Sequence, residues 1–221
     1  MTLTRRTVLQ VSTAALVGLA ASWTSAQTAT GAAGPRQTLS DDYTRYELLD
    51  PASASFRILY EVTATTPGAR YFWNPIRKGS VASNESVSDP TNGKPLKFIE
   101  VSDADAKANG FGNAELDTRY IQIELPRPVP KEGEVRILID KTYKDEKSYF
   151  TEEKTGFIVF SRSLGIKRDS VVLPIGYEVV SVNFPSQVFP ESSGGNTRLR
   201  MSFMNTGPDA VSYVVKARRT K

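Results

Sequence analysis

Positive charge and hydroxyl groups are concentrated at residues 161–170, which read Ser-Arg-Ser-Leu-Gly-Ile-Lys-Arg-Asp-Ser. Guanidinium and ammonium groups bind carboxylates and phosphates through charge-assisted hydrogen bonds. If this segment is a loop, Arg162, Lys167 and Arg168 predict a site for an acidic ligand. The alternative, which the composition favours, is a solvated connection between strands. A Ser-Lys hydrolase is not expected, because its lysine must be desolvated beside the serine and the segment offers no apolar surroundings for it.

The most aromatic stretch lies at residues 71–75 and reads Tyr-Phe-Trp-Asn-Pro. Exposed aromatic rings with an amide and a guanidinium group nearby could stack on sugar rings, and Asn74 and Arg77 supply those groups. In the alternative, which the pattern favours, the aromatic side chains pack in the core and Asn-Pro forms a turn. Tyr71 and Trp73 are therefore the second pair of candidate ligand-binding residues.

Neighbouring carboxylates are the third feature that could carry chemistry. Asp140 lies close in sequence to Asp145 and Glu146, and Glu152 adjoins Glu153. Two carboxyl groups about 5–10 Å apart can hydrolyse a glycosidic bond. Lysines alternate with these acids, however, so the pattern favours loops on a solvated surface of mixed charge. A carboxylate-based hydrolase that acts on polysaccharide is the alternative function.

Cysteine and histidine are both absent from the 221 residues. The usual protein ligands of zinc, copper, haem and iron–sulfur centres are therefore missing. The Ser-His-Asp and Cys-His catalytic arrangements are excluded for the same reason. We predict no catalytic residue, no metal site and no cofactor.

The elements that must position these residues are mostly strands. Apolar and polar residues alternate at residues 56–64, 119–125 and 134–140, which is typical of half-buried strands. One short helix is predicted at residues 103–109, where Gly110 ends it. About ten strands separated by turn residues predict an all-β fold, an antiparallel β-sandwich.

Three connections complete this prediction. Residues 126–133 hold three prolines and a glycine and are expected to turn the chain between two paired strands. Residues 78–94 and 189–196 are rich in Ser, Asn, Gly and Pro and are expected to be mobile loops.

The N-terminus resembles an export signal. Arg5 and Arg6 precede an apolar run at residues 11–21, which is roughly half the length of about 20 residues that a membrane-spanning helix needs. We predict a twin-arginine signal peptide at residues 1–26, a disordered lead-in at 27–40 and one β-sandwich domain at 41–221. The expected location is the periplasm or the exterior of a bacterium, with an ordinary secretory signal as the alternative.

The charge of the exported part bears on its partners. Removal of residues 1–26 removes two arginines and no acidic residue, so the formal net charge falls from +4 to +2. Nucleic-acid binding usually needs a clustered basic face, so we expect no nucleic-acid partner. No membrane span is expected after cleavage of the signal. A glycan or a second exported protein is the expected partner.

Several motifs in the second half resemble the N-terminal β-domain of the gluzincin aminopeptidases. Residues 125–134 place Pro130 before Gly133-Glu134 ahead of a strand, and residues 174–177 form a Pro-x-Gly-Tyr connector. Both arrangements have counterparts in that domain, whose length is similar. The resemblance implies a shared scaffold only. The zinc motif of that family, His-Glu-x-x-His, cannot occur in a chain without histidine, so no catalytic residue is carried over.

The sequence thus predicts an exported, noncatalytic binding or accessory module. The reason is that a chain well patterned to fold lacks every standard catalytic constellation. Besides the polysaccharide hydrolase, a second alternative is a structural subunit that assembles through an exposed strand edge.

Overall fold

The structure, a computed structural model, describes residues 42–220. The predicted signal peptide and lead-in, at residues 1–26 and 27–40, lie outside the described residues. Within the described range, the strands and the α-helix follow in this order: β1 (Tyr43–Leu48), β2 (Ser55–Ala64), β3 (Tyr71–Ile76), β4 (Val81–Ser88), β5 (Phe98–Val101), α1 (Asp103–Ala108), β6 (Arg119–Glu124), β7 (Val135–Lys144), β8 (Tyr149–Thr151), β9 (Ile158–Leu164), β10 (Arg168–Val172), β11 (Tyr177–Val182), β12 (Gln187–Ser193), β13 (Asn196–Met204) and β14 (Val211–Arg219). The predicted all-β class with one short helix is confirmed, although the strands outnumber the ten or so expected.

The strands form three sheets. The largest has seven strands in the order β12-β13-β10-β1-β2-β7-β4, and the smaller ones have the orders β11-β14-β9-β8 and β3-β6-β5. The strand pairs are antiparallel except for β1 with β10, which are parallel. The parallel pair joins β1, at the start of the described residues, to β10, in their last third, so the seven-stranded sheet cannot form until most of that range is present.

Both smaller sheets cover the same face of the seven-stranded sheet. On β2, Phe56 and Ile58 belong to a core cluster shared with β9 and β14, whereas Val62 and Ala64 belong to a second cluster shared with β3 and β6. These residues are an even number of positions apart, so their side chains leave β2 on one side. The four-stranded sheet thus covers one half of that face and the three-stranded sheet covers the other. The halves meet at Tyr60, which packs against both clusters.

The opposite face of the seven-stranded sheet carries ion pairs. The guanidinium of Arg45 lies 2.7 Å from the carboxylate of Glu47 and also contacts Glu191, and Arg57 lies 2.5 Å from Asp140. One sheet face is therefore apolar and covered while the other is charged, as the alternation of residues along its strands requires.

Helix α1 begins and ends as predicted. The Ser102 hydroxyl accepts a 3.1 Å hydrogen bond from the Asp105 backbone N–H, which caps the first turn. Gly110, with φ +95°, follows the helix in the left-handed conformation that favours glycine. Ala106 of α1 packs in a small core cluster with Trp73, so the helix covers part of the outer face of the three-stranded sheet. Among residues 42–220, no helix is long and apolar enough to span a bilayer.

Three predictions about connections are wrong. Residues 126–133 do not join paired strands, because β6 pairs with β3 and β5 whereas β7 pairs with β2 and β4. Residues 78–94 and 189–196, predicted as mobile loops, contain β4 and most of β12. Both are edge strands with largely exposed side chains. The apolar alternation that marks a half-buried strand is therefore missing from them.

Candidate functional site

Arg162, which the sequence places in a loop, is a buried residue of β9. Strand β9 continues to Leu164 and β10 begins at Arg168, so only residues 165–167 connect them. Arg162 is 7% exposed, whereas Arg168 is exposed and Lys167 is half-buried. The loop placement of Arg162 is wrong, since an inward position of a strand removes its guanidinium from the surface. Arg162, Lys167 and Arg168 therefore do not share one exposed surface.

Arg162 lies beside a cavity of about 140 Å³, located where the two halves of the core meet. Strands β1, β2, β7, β3 and β9 supply most of its wall. The lining residues are Thr44, Tyr46, Ile58, Tyr60, Asn74, Pro75, Arg77, Lys141, Tyr143, Arg162 and Ile166. We call this space the join cavity. Most of its lining side chains are polar, in contrast to the apolar clusters on either side of it.

Lys141 occupies an inward position of β7 that the strand pattern would give to an apolar residue. It is 4% exposed, and its Nζ donates a hydrogen bond to Asn74 Oδ1. The same Nζ lies 4.8 Å from the centre of the Tyr143 ring. Burial and, to a smaller extent, the positive charge of Arg162 lower the pKa of Lys141 to about 7, against the opposing effect of the negative charge of Glu85.

Asp145, just after β7, pairs with Arg162. The Arg162 Nη1 group donates to Asp145 Oδ2 at 3.2 Å. Ser148 donates to the same carboxylate through its hydroxyl at 2.7 Å and its backbone N–H at 3.1 Å, and the Ser80 hydroxyl donates at 3.2 Å. Burial alone would raise the pKa of Asp145, but these hydrogen bonds and the charge of Arg162 outweigh it, so the pKa lies below its usual value. Asp145 is therefore an ionised carboxylate whose oxygens already accept several hydrogen bonds.

Tyr71 lies in a surface groove of about 340 Å³ on the three-stranded sheet. The groove combines aromatic and aliphatic carbon with two side-chain amides and two charged groups. Its lining residues are Tyr71, Lys97, Phe98, Ile99, Asn109, Gln122 and Glu124. We call it the Tyr71 groove. Tyr71 is 42% exposed, so part of its ring is open to a ligand.

Trp73, predicted together with Tyr71, is buried instead. It is 5% exposed and stacks on Phe111, with ring centres 5.5 Å apart and planes 10° from parallel. The turn expected at Asn74-Pro75 does not exist, because β3 continues to Ile76. Tyr71 and Trp73 share a face of β3, but the segment after α1 covers only Trp73. The structure therefore brings one of the two aromatic candidates to the groove.

Three of the acidic residues considered for glycoside hydrolysis are held in separate ion pairs. Asp140 is a residue of β7 paired with Arg57, while Glu152 lies 3.0 Å from Lys216. Asp145 is buried beside Arg162, as described above. The prediction that these acids lie in loops is wrong for Asp140, which lies within β7. Within residues 42–220, no group of three or more acidic side chains is arranged to hold a metal ion.

Lys141 was not identified from the sequence as a site residue, and Asn74 was considered only beside the aromatic stretch. The one signal for Lys141 is its position: it continues the inward series of β7 after Ile137 and Ile139 and precedes Tyr143. Asn74 gave a misleading signal, because an Asn-Pro pair is typical of a turn. Neither residue belongs to a motif with chemical meaning in the linear sequence.

The chain was compared with protein families, curated sequences and solved structures. No protein-family model matches it, and no curated protein sequence matches it. Among solved structures, it is similar to the M1 zinc metallopeptidase from Deinococcus radiodurans, with a TM-score of 0.49 and 9% sequence identity over 80% of this chain and 40% of that chain. It is also similar to an aminopeptidase N family protein from Idiomarina loihiensis, with a TM-score of 0.45 and 11% identity over 80% of this chain and 29% of that chain.

Both are proteins of the kind that the sequence motifs resemble, and the likeness is weak. The chain spans less than half the length of those structures. At these identities the likeness concerns the β-rich fold, and it transfers neither activity nor substrate to this chain.

Proposed function

We propose that the protein is an exported, noncatalytic binding module that holds a neutral glycan in the Tyr71 groove. The observation that carries this proposal is the partly exposed Tyr71 ring, set in a groove of about 340 Å³ whose polar lining includes Asn109, Gln122 and Glu124. Sugar rings present one apolar face and several hydroxyl groups. An aromatic ring with amide and carboxylate neighbours complements both.

The groove is also the more accessible of the two sites that the sequence suggested. Arg162 is buried and already pairs with Asp145, so it is not available to a large acidic ligand at the surface. The groove volume lies within the range of roughly 300–1,000 Å³ that is common for small-ligand sites. A noncatalytic role is consistent with the separation of the acidic residues into ion pairs with Arg57, Arg162 and Lys216.

The test is calorimetric titration of the residue 41–221 domain with a panel of neutral and acidic oligosaccharides at low and high salt. We expect a neutral oligosaccharide to bind with an affinity that salt hardly changes, because exposed charges are not its main anchor. Tyr71→Ala should weaken that binding at least tenfold. Phe150→Ala is the matched control, since Phe150 is exposed to a similar degree, 38%, on β8 of another sheet.

Two results would reject this proposal. One is equal affinity of the Tyr71→Ala variant and the unmodified protein for every bound oligosaccharide. The other is the absence of binding across the panel together with co-purification of a second exported chain, which would support an accessory subunit. Release of new reducing ends from a polysaccharide would support the hydrolase instead.

A further inference from the structure

The join cavity concentrates hydrogen-bond donors and positive charge in the interior of the domain. Lys141 and Arg162, both more than nine-tenths buried, line it together with the phenol groups of Tyr46 and Tyr60. The hydroxyl of Thr44, which also lines the cavity and is 2% exposed, has no hydrogen-bond partner among the described residues.

We propose that the join cavity is a binding site for a small oxyanion, such as sulfate, phosphate or bicarbonate, held by Lys141 and Arg162. This site is separate from the Tyr71 groove and independent of the glycan proposal.

The balance of charge around the cavity favours an anion. Arg162 and, when it is protonated, Lys141 are buried cations that face the cavity, and Arg77 adds a further positive group at its exposed end. The carboxylate that pairs with Arg162 belongs to Asp145, whose oxygens already accept hydrogen bonds from Ser148 and Ser80. A buried charge without a partner is costly, so a bound anion would compensate charge that the protein itself leaves uncompensated.

The hydrogen-bonding capacity points the same way. A lysine ammonium has three donors, and the contacts described for Lys141 Nζ include one acceptor, Asn74 Oδ1. Lysine, arginine and threonine side chains donate, and the Tyr60 hydroxyl already donates to Asp42 Oδ2 at 3.4 Å. The acceptors Asn74 and Asp145 are engaged, and the buried Asp169, which lies opposite Thr44 where β1 pairs with β10, carries a proton below its pKa of about 8. An oxyanion offers several acceptors at once and matches this excess of donors.

The size of the cavity limits the ligand. A volume of about 140 Å³ is several times the roughly 30 Å³ of liquid that one water occupies. It is also well below the approximately 300 Å³ at which sites for larger organic ligands begin. A single small ion with a few waters fits, and a sugar or a peptide does not.

Oxyanion binding should be coupled to protonation of Lys141. The titratable or charged groups around the cavity are Arg162 on β9 with its partner Asp145, Glu85 on β4, Arg77, the phenols of Tyr46, Tyr60 and Tyr143, and the carboxyl groups of Asp42 and Asp169, whose charges act on the phenols of Tyr60 and Tyr46. Because burial brings the pKa of Lys141 to about 7, the amine is largely neutral above that pH in the absence of an anion. An anion binds the charged form more tightly, so binding at pH 8 should take up as much as one proton.

Sulfate is the best probe, because its own charge does not change between pH 6 and pH 9. Calorimetric titration and thermal unfolding are measured with sodium sulfate and, for comparison, sodium chloride at equal ionic strength. We expect sulfate to raise the melting temperature more than chloride does, and its affinity to fall at least tenfold from pH 6 to pH 9. Lys141→Met should abolish both effects. Lys144→Met, which removes an exposed lysine from the same strand, should leave them unchanged.

If the Lys141→Met variant does not fold, the proton uptake that accompanies sulfate binding still tests the proposal. Titration of the unmodified protein with sulfate at pH 8, in two buffers of different ionisation enthalpy, measures that uptake directly. Equal stabilisation by sulfate and chloride would overturn the proposal. Sulfate binding without proton uptake, or binding that persists in folded Lys141→Met, would also overturn it.

Discussion

Tyr71 and Trp73 show how neighbouring side chains on one strand face can differ in role. Their ring centres are 6.2 Å apart, yet Tyr71 is 42% exposed and Trp73 is 5% exposed. The difference arises from Phe111, which stacks on Trp73 and leaves Tyr71 uncovered. Tyr71 can therefore serve as a binding residue, while Trp73 contributes to stability.

The difference in burial between Tyr71 and Trp73 predicts that their substitution changes the free energy of unfolding by different amounts. Trp73→Ala should lower the free energy of unfolding by about 3–5 kcal/mol, because it removes a large buried ring and the stacking contact of that ring with Phe111. Tyr71→Ala should change it by less than about 1 kcal/mol, since much of that ring already contacts solvent. Urea titrations of both variants measure these values. Similar losses in the two variants would contradict the assignment of Trp73 to the core.

Asp169, on the inner face of β10, has an unusual environment. It is 1% exposed, and neither carboxylate oxygen has a hydrogen-bond partner among residues 42–220. Burial raises the pKa of Asp169 from its ordinary value of 3.8 to about 8. The folded protein therefore keeps a proton on Asp169 at pH values where the unfolded chain has lost it.

A pH dependence of stability follows from Asp169. Between about pH 4 and pH 8 the folded state binds more protons at this residue than the unfolded state, so its contribution to stability is full below pH 4 and is lost as the pH rises through 8. The loss is on the order of 6 kcal/mol, since each pKa unit corresponds to about 1.4 kcal/mol. Asp169→Asn should flatten this decline, as measured by urea unfolding across that range. Asp209→Asn, at an exposed residue, is the control. If the free energy of unfolding of Asp169→Asn falls with pH as steeply as that of the unmodified protein, the argument is disproved.

Among the elements, β7 has the most varied surroundings. Its inward residues Val135, Ile137 and Ile139 lie under the three-stranded sheet, Tyr143 lies under the four-stranded sheet, and Lys141 lies between them. The strand thus carries an apolar stripe interrupted by one amine, at the point where two covering sheets meet and leave a cavity.

The apolar part of β7 should be sensitive to truncation. Ile137→Ala should destabilise the domain by about 2–5 kcal/mol, because Ile137 is fully buried and the surrounding strands can close the resulting cavity only in part. Val81→Ala on the adjacent strand β4 is a suitable control, since Val81 is 66% exposed. Denaturant unfolding measures both. A loss below about 0.5 kcal/mol for Ile137→Ala would mean that this face is not the core.

The polar part of β7 should respond to pH in the opposite direction from Asp169. Between about pH 7 and pH 10 the unfolded chain holds a proton on Lys141 that the folded state has released, so stability rises with pH and is lost as the pH falls through 7. The change is up to about 5 kcal/mol. Lys141→Met should remove the slope when unfolding is measured without oxyanions in the buffer. Lys144→Met is the control and should keep the pH dependence. Retention of the pH dependence in Lys141→Met would refute the assignment.

At the scale of the whole molecule, the arrangement of three sheets explains why the described residues form both a polar cavity and a surface groove. Two small sheets cover one large sheet and leave a polar cavity where they meet. The outer face of the three-stranded sheet is only partly covered by α1 and the segment after it, which leaves the Tyr71 groove. Both the cavity and the groove therefore result from incomplete covering of a sheet face.

Export is the prediction that concerns the entire chain. Arg5→Lys together with Arg6→Lys should leave the protein in the cytoplasm, because the twin-arginine pathway requires the paired guanidinium groups. Cell fractionation and immunoblotting measure its location. The same pair of substitutions in a protein with an ordinary secretory signal serves as the control. Undiminished export of the doubly substituted chain would show that another route carries it.

Some features of the fold and of the candidate site could be predicted from the sequence, and others could not. The strands at residues 56–64, 119–125 and 134–140 and helix α1 were predicted correctly, because period-two alternation and helix capping are local signals. Strands β4 and β12 were missed because they lie at the edges of the large sheet, where exposed polar residues conceal the alternation. Of the predicted ligand-binding residues, Tyr71 is the one that lines the surface groove, while Arg162 and Trp73 are buried.

The sequence by itself determined the all-β class, the short helix and the absence of histidine and cysteine chemistry, since composition and local periodicity suffice for these. Only the tertiary structure decided which strands pair, including the parallel pair of β1 with β10 and the separation of β6 from β7. It also decided that Lys141 and Arg162 face one cavity. These features depend on contacts between residues far apart in the chain, and alternation shows that a face is buried without showing what covers it.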